Sequence, residues 1–133
     1  MFRIKYCRET IMRLLYLADV MGQEDQPPEE LLQHNSVFFR GLNKIEKNFI
    51  FKITKKVLKE KKMIDQLISQ HLIGWKLERL MPVERSLLRM GVGESYFNDQ
   101  KAIIIDDVIR IAKKYGGEDS YKIINAVLDK VIQ

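Results

Sequence analysis

The stretch GWKLERLMPVERSLLRMGVGESYF, from Gly74 to Phe97, decides the fold. Pro82 lacks an N–H that a first helical turn leaves unused anyway, so a helix is expected to start there and run to about Asn98. At about 100° per residue, Val83, Leu87, Met90, Glu94 and Phe97 share one stripe, and Leu88, Gly91 and Ser95 form a smaller-residue stripe beside it. Arg85, Arg89 and Tyr96 make the wetter remainder, with Gly93 at its edge. Such a helix is expected to be buried on more than one side. Gly91 and Gly93 each weaken a helix by up to about 1 kcal/mol relative to Ala, which close approach by a neighbouring helix would offset. Glu94 sits on the apolar stripe, where a carboxylate needs an Arg, Lys or backbone N–H partner from another helix.

Outward from this rod, the flanking segments keep the helical period. Cys7, Ile11, Leu14, Leu15 and Ala18 form one face of a first helix running to about Met21, and GQEDQPPEELLQHN (Gly22 to Asn35) is a turn-rich connection with a short helix over Pro28 to Gln33. Ser36 to Lys62 reads as one long helix, or two joined near Gly41, with Leu42, Ile45, Phe49, Ile50, Ile53 and Val57 inward. A helix over Lys62 to Leu72 is stopped by Gly74, and Trp75, Leu77 and Leu80 bridge to the rod. Ala102 to Tyr115 turns Ile104, Ile105, Val108, Ile111, Ala112 and Tyr115 inward; Gly116 and Gly117 end it. Asp119 or Ser120 caps a last helix with Ile124, Val127, Leu128 and Val131 as its core face. No segment alternates as a strand does. The reading is all-α, about seven helices in two small packed bundles, one domain over residues 1–133 with sub-bundles near 1–72 and 73–133.

The net charge of +5 is unevenly placed: Arg40 to Lys62 carries nine Lys or Arg against two Glu. A basic block suits a polyanion, nucleic acid or an acidic membrane surface, although lysines can equally form a merely solvated face. Lys44, Lys47, Lys52, Lys55 and Lys59 fall on the outer arc, with Phe51 and Leu58 among them. On the first helix, Lys5, Arg8, Met12 and Tyr16 lie along the face opposite the core, with Arg3 just before them. Cations that meet phosphates beside an aromatic ring that stacks on a base are what single-stranded RNA recognition uses. A single Cys7 precludes an internal disulfide, and no apolar run of spanning length is present, so a reducing cytoplasm is the expected location, with no membrane insertion. Catalytic constellations are missing. His34 and His71 stand far apart without metal-ligand spacing, Cys7 lies on an apolar face, GVGES (Gly91 to Ser95) lacks a phosphate-loop Lys, and the adjacent Asp106 and Asp107 point about 100° apart. Neither enzyme activity, nor a metal, nor a cofactor is expected.

Four segments, in order, resemble the family of the bacterial transcription antitermination factor NusB. CRETIMRLLY (Cys7 to Tyr16) is similar to that family's opening helix, IDQLISQHLIGWKLERL (Ile64 to Leu80) to its I-D-x-x-I…W-x-L-x-R-L segment, VERSLLRMGVGE (Val83 to Glu94) to its V-E-R-x-x-L-R helix, and IIIDDVIRIAKKYGGEDSYKIINAVLDKV (Ile103 to Val131) to its ending. The resemblance implies a two-bundle helical domain that binds boxA-type single-stranded RNA as a heterodimer with the ribosomal small-subunit protein NusE, within a transcription elongation complex. Carried over by position, it points to Arg3, Lys5, Arg8, Tyr16, Lys113, Lys114, Asp119 and Lys122 for RNA, and to Glu84, Arg85 and Ile123 for the protein partner. Lys44, Lys47, Lys55 and Lys59 stand as a secondary basic face. The arm has fewer arginines than the family pattern, Asp106 stands for its Asn, Ile123 for its aromatic and Ala126 for its Gly. Three arm cations on a single strand give a salt slope near −2, leaving the rest of the affinity to the partner or the lysine face. Two other readings stay open, the RNA-binding domain that precedes a ribosomal-RNA cytosine methyltransferase and a basic helical adaptor for an acidic protein or membrane. A homodimer is also open.

Overall fold

A computed structural model describes all residues, 1–133, as seven α-helices with no strand. They are α1 (Ile4–Val20), α2 (Pro28–His34), α3 (Lys44–Lys59), α4 (Lys61–Gln70), α5 (Pro82–Ser95), α6 (Lys101–Tyr115) and α7 (Ser120–Val131), with 3-10 turns at Ser36–Phe39 and Leu77–Arg79. Helix α5 is the axle. It packs against α1, α3, α4, α6 and α7, and residues Ser86 to Glu94 are all buried. Both glycines of the rod are sites of close approach. A Cβ on Gly93 would overlap Val57 Cγ2 of α3, and one on Gly91 would lie 3.0 Å from Leu128 Cδ1 of α7. Neither crossing tolerates a side chain without movement of its neighbour, so the helical cost of glycine is offset by packing. A single apolar core runs through the molecule, from Ile11 and Leu14 of α1 through Ile53, Ile68, Leu87 and Met90 to Val108 and Leu128.

Several expected positions are corrected. Ile45, read as inward, is 65% exposed, and Glu46 is buried in its place. A capping box causes this: Asn43 Oδ1 accepts from Glu46 N at 2.9 Å while Glu46 Oε1 accepts from Asn43 N at 3.1 Å, so α3 starts with Glu46 turned inward. Trp75 is 58% exposed, not a bridge to the core. Helix α4 ends at Gln70, before the expected stop, and the chain then turns at Gly74, whose φ of +78° favours glycine. This loop reaches the core only through Leu72, Leu77 and Leu80. The rod ends at Ser95, earlier than Asn98, which leaves Tyr96 and Phe97 outside the helix and exposed. Arg89, placed on the wet face, is buried because Asp65 of α4 takes its Nε at 2.8 Å and Asp19 lies 3.3 Å from its Nη1.

Candidate nucleic-acid interface

The interface is built outward from a buried ion cluster. Arg8 of α1 donates from Nε to Glu94 Oε1 at 2.8 Å and from Nη2 to Glu94 Oε2 at 2.6 Å, and its Nη1 reaches Asp107 Oδ2 of α6 at 3.1 Å. Arg8 is 2% exposed and Glu94 1%. The cationic partner expected for Glu94 is therefore present, and it is Arg8. This corrects the placement of Arg8 on the outer, RNA-facing side of α1: it turns inward because two buried carboxylates hold its guanidinium, and its burial keeps it out of reach of a phosphate. Burial favours loss of its proton, but Glu94 and Asp107 outweigh that and raise its pKa. The bidentate geometry fixes the relative positions of α1, α5 and α6.

A second tier lies above it. Glu9 accepts from Arg110 Nη1 at 3.0 Å, Lys114 Nζ at 2.9 Å and the Tyr115 hydroxyl at 2.9 Å. Burial pushes the Glu9 carboxyl up, yet the bonds from Lys114, Arg110 and Tyr115 prevail and hold it at about 2. Arg13 of α1 donates to the same Tyr115 hydroxyl at 2.9 Å, and Arg110 is also held by Asp107. Lys113 Nζ lies 4.8 Å from the Tyr121 ring centre and Lys122 Nζ 6.0 Å from it. Helices α1, α6 and the start of α7 thus present Lys5, Arg13, Arg110, Lys113, Lys114 and Lys122 interleaved with Tyr115 and Tyr121. Arg13, Arg110, Tyr115 and Tyr121 were absent from the sequence-derived site. The i, i+4 pair Arg110 and Lys114, one turn beyond Asp107, was the available signal.

The remaining candidates divide by what already holds them. Arg3 is half-exposed but committed: its Nε and Nη2 bond Glu46 at 2.9 and 2.7 Å, its Nη2 also donates to the Gly41 carbonyl, and the Arg3 contacts hold the Glu46 carboxyl at about 2. Tyr16 is half-buried and lines an apolar depression of about 290 Å³ with Met12, Leu17, Phe38, Val83 and Tyr115. Exposed Lys122 pairs with exposed Asp119 at 3.2 Å, which raises the lysine's pKa. Glu84 accepts from Met81 N at 2.9 Å and from Ser120 Oγ at 2.6 Å; Ser120 Oγ in turn accepts from Gly117 N at 2.8 Å. It therefore ties the start of α5 to the loop before α7. Arg85 is taken up by Asp19 and by the carbonyls of Glu78 and Leu80, and Ile123 is half-buried. Lys44, Lys47 and Lys59 are exposed without ion pairs, while Lys55 lies 3.5 Å from Glu29. Cys7 is buried, which pushes its thiol up to about 11. No group of three or more His, Cys, Asp or Glu side chains converges to hold a metal, and no helix is long and apolar enough to cross a membrane.

A protein-family model described as the NusB family matches residues 6–133. The chain belongs to the NusB family. The transcription antitermination protein NusB of Fervidobacterium nodosum is 39% identical over 130 residues, covering 93% of this chain and 86% of that protein. The NusB of a Nitratiruptor species is 34% identical over 126 residues, with coverage of 93% and 87%. Among solved structures, Thermotoga maritima NusB superposes with a TM-score of 0.85 at 29% identity, covering 99% of this chain and 92% of that one. A chain from a complex of antitermination factors NusB and NusE with double-stranded RNA superposes at 0.83, also at 29% identity, with coverage of 96% and 94%. The all-α architecture of about seven helices expected from sequence is that of these NusB structures.

Proposed function

We propose that this protein is a non-catalytic transcription antitermination factor of the cytoplasm that binds boxA-type single-stranded RNA jointly with NusE, within a transcription elongation complex. One observation carries the reading: on a NusB fold, Lys113, Lys114 and Lys122 stand exposed beside Tyr115 and Tyr121, and exposed Lys5 joins them through its carbonyl's bond from Arg110, at the junction of α1, α6 and α7. Cations of this kind neutralise phosphates, and the rings supply stacking for unpaired bases. Arg3 and Arg8 serve it from behind, one pinning the arm to α3 and the other fixing α1 against α5 and α6. NusE docks across the start of α5, where the depression beside Tyr16 and Val83 offers apolar contact and Glu84 and Arg85 hold the backbone. Through Ser120, Glu84 also links that surface to the loop carrying Asp119. Similarity to NusB proteins over most of the chain favours this reading over a methyltransferase domain or a general adaptor.

The test is a titration of labelled boxA RNA, and of a scrambled RNA of the same composition, with and without NusE. Preference for boxA that tightens when NusE is added is expected. Equal affinity for both RNAs, unchanged by NusE, would overturn the proposal, and S-adenosylmethionine-dependent methylation of ribosomal RNA would favour the methyltransferase reading.

A further inference from the structure

Helix α3 carries six lysines, Lys44, Lys47, Lys52, Lys55, Lys56 and Lys59, and one carboxylate, Glu46. Glu46 is buried and neutralised by Arg3, so it offsets none of the outward charge. Of the six lysines only Lys55 has an ion pair, the 3.5 Å contact with exposed Glu29. Because Ile50, Ile53 and Val57 face the core, Lys44, Lys52, Lys55 and Lys59 fall on the opposite, solvent side of the helix. The fifteen rises of 1.5 Å from Lys44 to Lys59 make this a track of about 22 Å.

Two aromatic rings border the track. Lys56 Nζ lies 4.5 Å from the centre of the Tyr96 ring and Lys52 Nζ 4.7 Å from that of Phe97, yet the two residues remain 41% and 45% exposed. They leave the rod just past its end at Ser95, where α5 has crossed α3 at Gly93 and Val57. At its other end the track meets the arm. Arg3 bonds Glu46, Asn43 Nδ2 donates to the Met1 carbonyl, and Phe2 stacks edge-on against Phe49 at 5.1 Å. The lysine track therefore joins the segment that leads into the α1 surface.

We propose that the outer face of α3, with Tyr96 and Phe97, is a second, sequence-tolerant track for single-stranded RNA, continuous with the α1 arm. A line of cations, all but Lys55 without an ion pair, beside exposed rings matches the backbone-following, base-stacking chemistry of non-specific strand binding. A membrane surface fits less well. Lipid-binding amphipathic helices turn a broad apolar face to the bilayer, whereas the apolar face of α3 is in the core. The proposal extends the RNA-binding reading without depending on boxA recognition. It implies that the protein holds RNA flanking the specific element.

The test uses fluorescein-labelled oligouridine of about 15 nucleotides, within the range of single-strand site sizes, and separately a short boxA RNA. Four lysine contacts to a single strand predict a log–log salt slope near −3 for oligouridine. Replacing Lys44, Lys52, Lys55 and Lys59 together by Gln should flatten that slope by two or more and weaken oligouridine binding at least tenfold, leaving boxA affinity within about twofold. Tyr96→Leu with Phe97→Leu should weaken oligouridine about tenfold while keeping the slope. The lysines are solvent-facing, so an unchanged thermal melt accompanies the quadruple variant. No oligouridine binding by the wild-type chain, or a slope unaltered in the quadruple variant, would overturn the proposal. So would a variant that loses binding to phosphatidylserine vesicles while keeping oligouridine. Failure of boxA binding alone would instead count against the function proposed above.

Discussion

Arg8→Met tests how the α1, α5 and α6 junction is held. The substitution keeps an unbranched side chain but removes every donor that Arg8 gives to Glu94 and Asp107. Asp107 retains Arg110, whereas Glu94 keeps only Asn98 Nδ2 at 3.0 Å and stays buried. Removing one partner of a buried, hydrogen-bonded pair costs about 3–5 kcal/mol, a large share of the ~5–15 kcal/mol typical of a domain. For 133 residues the unfolding entropy is about 0.28 kcal/mol/K, so a loss of ~4 kcal/mol lowers Tm by about 14 °C. Urea unfolding of Arg8→Met, Glu94→Leu and the double variant measures the effect and the coupling. The double variant, which strands no charge on Glu94, should recover at least ~2 kcal/mol of the loss in Arg8→Met. Where it is folded it should bind boxA RNA as the wild type does, because Arg8 does not reach the surface. A loss below ~1 kcal/mol in Arg8→Met, or a double variant no more stable than Arg8→Met, would refute the reasoning.

Two further outcomes concern stability. Glu9 is held at about 2 when folded against about 4.3 in an unfolded chain, so its contribution is present above pH ~4.3 and is lost as pH falls toward 2. Glu9→Gln should therefore lower stability at pH 7 by up to ~3 kcal/mol and flatten the acid limb of a urea midpoint series; parallel curves for the two proteins would contradict the assignment. Gly93→Ala drives a methyl into Val57 and should cost about 1–3 kcal/mol, with Val57→Ala in the same chain restoring part of it; a neutral Gly93→Ala in thermal unfolding would mean that the crossing is looser than described.

The helices were legible because their cores are periodic: Ile50, Ile53 and Val57 in α3 and Ile104, Val108 and Ile111 in α6 repeat at helical spacing and are buried. The rod's glycines announced their close crossings, and Glu94 on an apolar stripe announced a charged partner. The identity of that partner was not legible. Arg8 is 86 positions away from Glu94 and stands between Lys5 and Tyr16 on a basic helix start, where local pattern reads as surface. Pairing across such a separation depends on helix packing that no window of sequence contains. The same limit hid Arg13 and Arg110, which became part of one surface only when α6 docked on α1 and Tyr115 joined them. Ile45 and Glu46 exchanged places for a local reason instead, since the Asn43 cap sets the rotation of the first turn. Trp75 shows that a large apolar residue need not reach the core when a loop turns at a glycine beside it.

Backbone amide chemical-shift mapping with boxA RNA locates the RNA on this fold. The largest perturbations are expected on Lys5, Arg13, Lys113, Lys114, Tyr121 and Lys122, at the meeting of α1, α6 and α7. Perturbations concentrated instead on α2 and α4, with this junction unmoved, would contradict this placement.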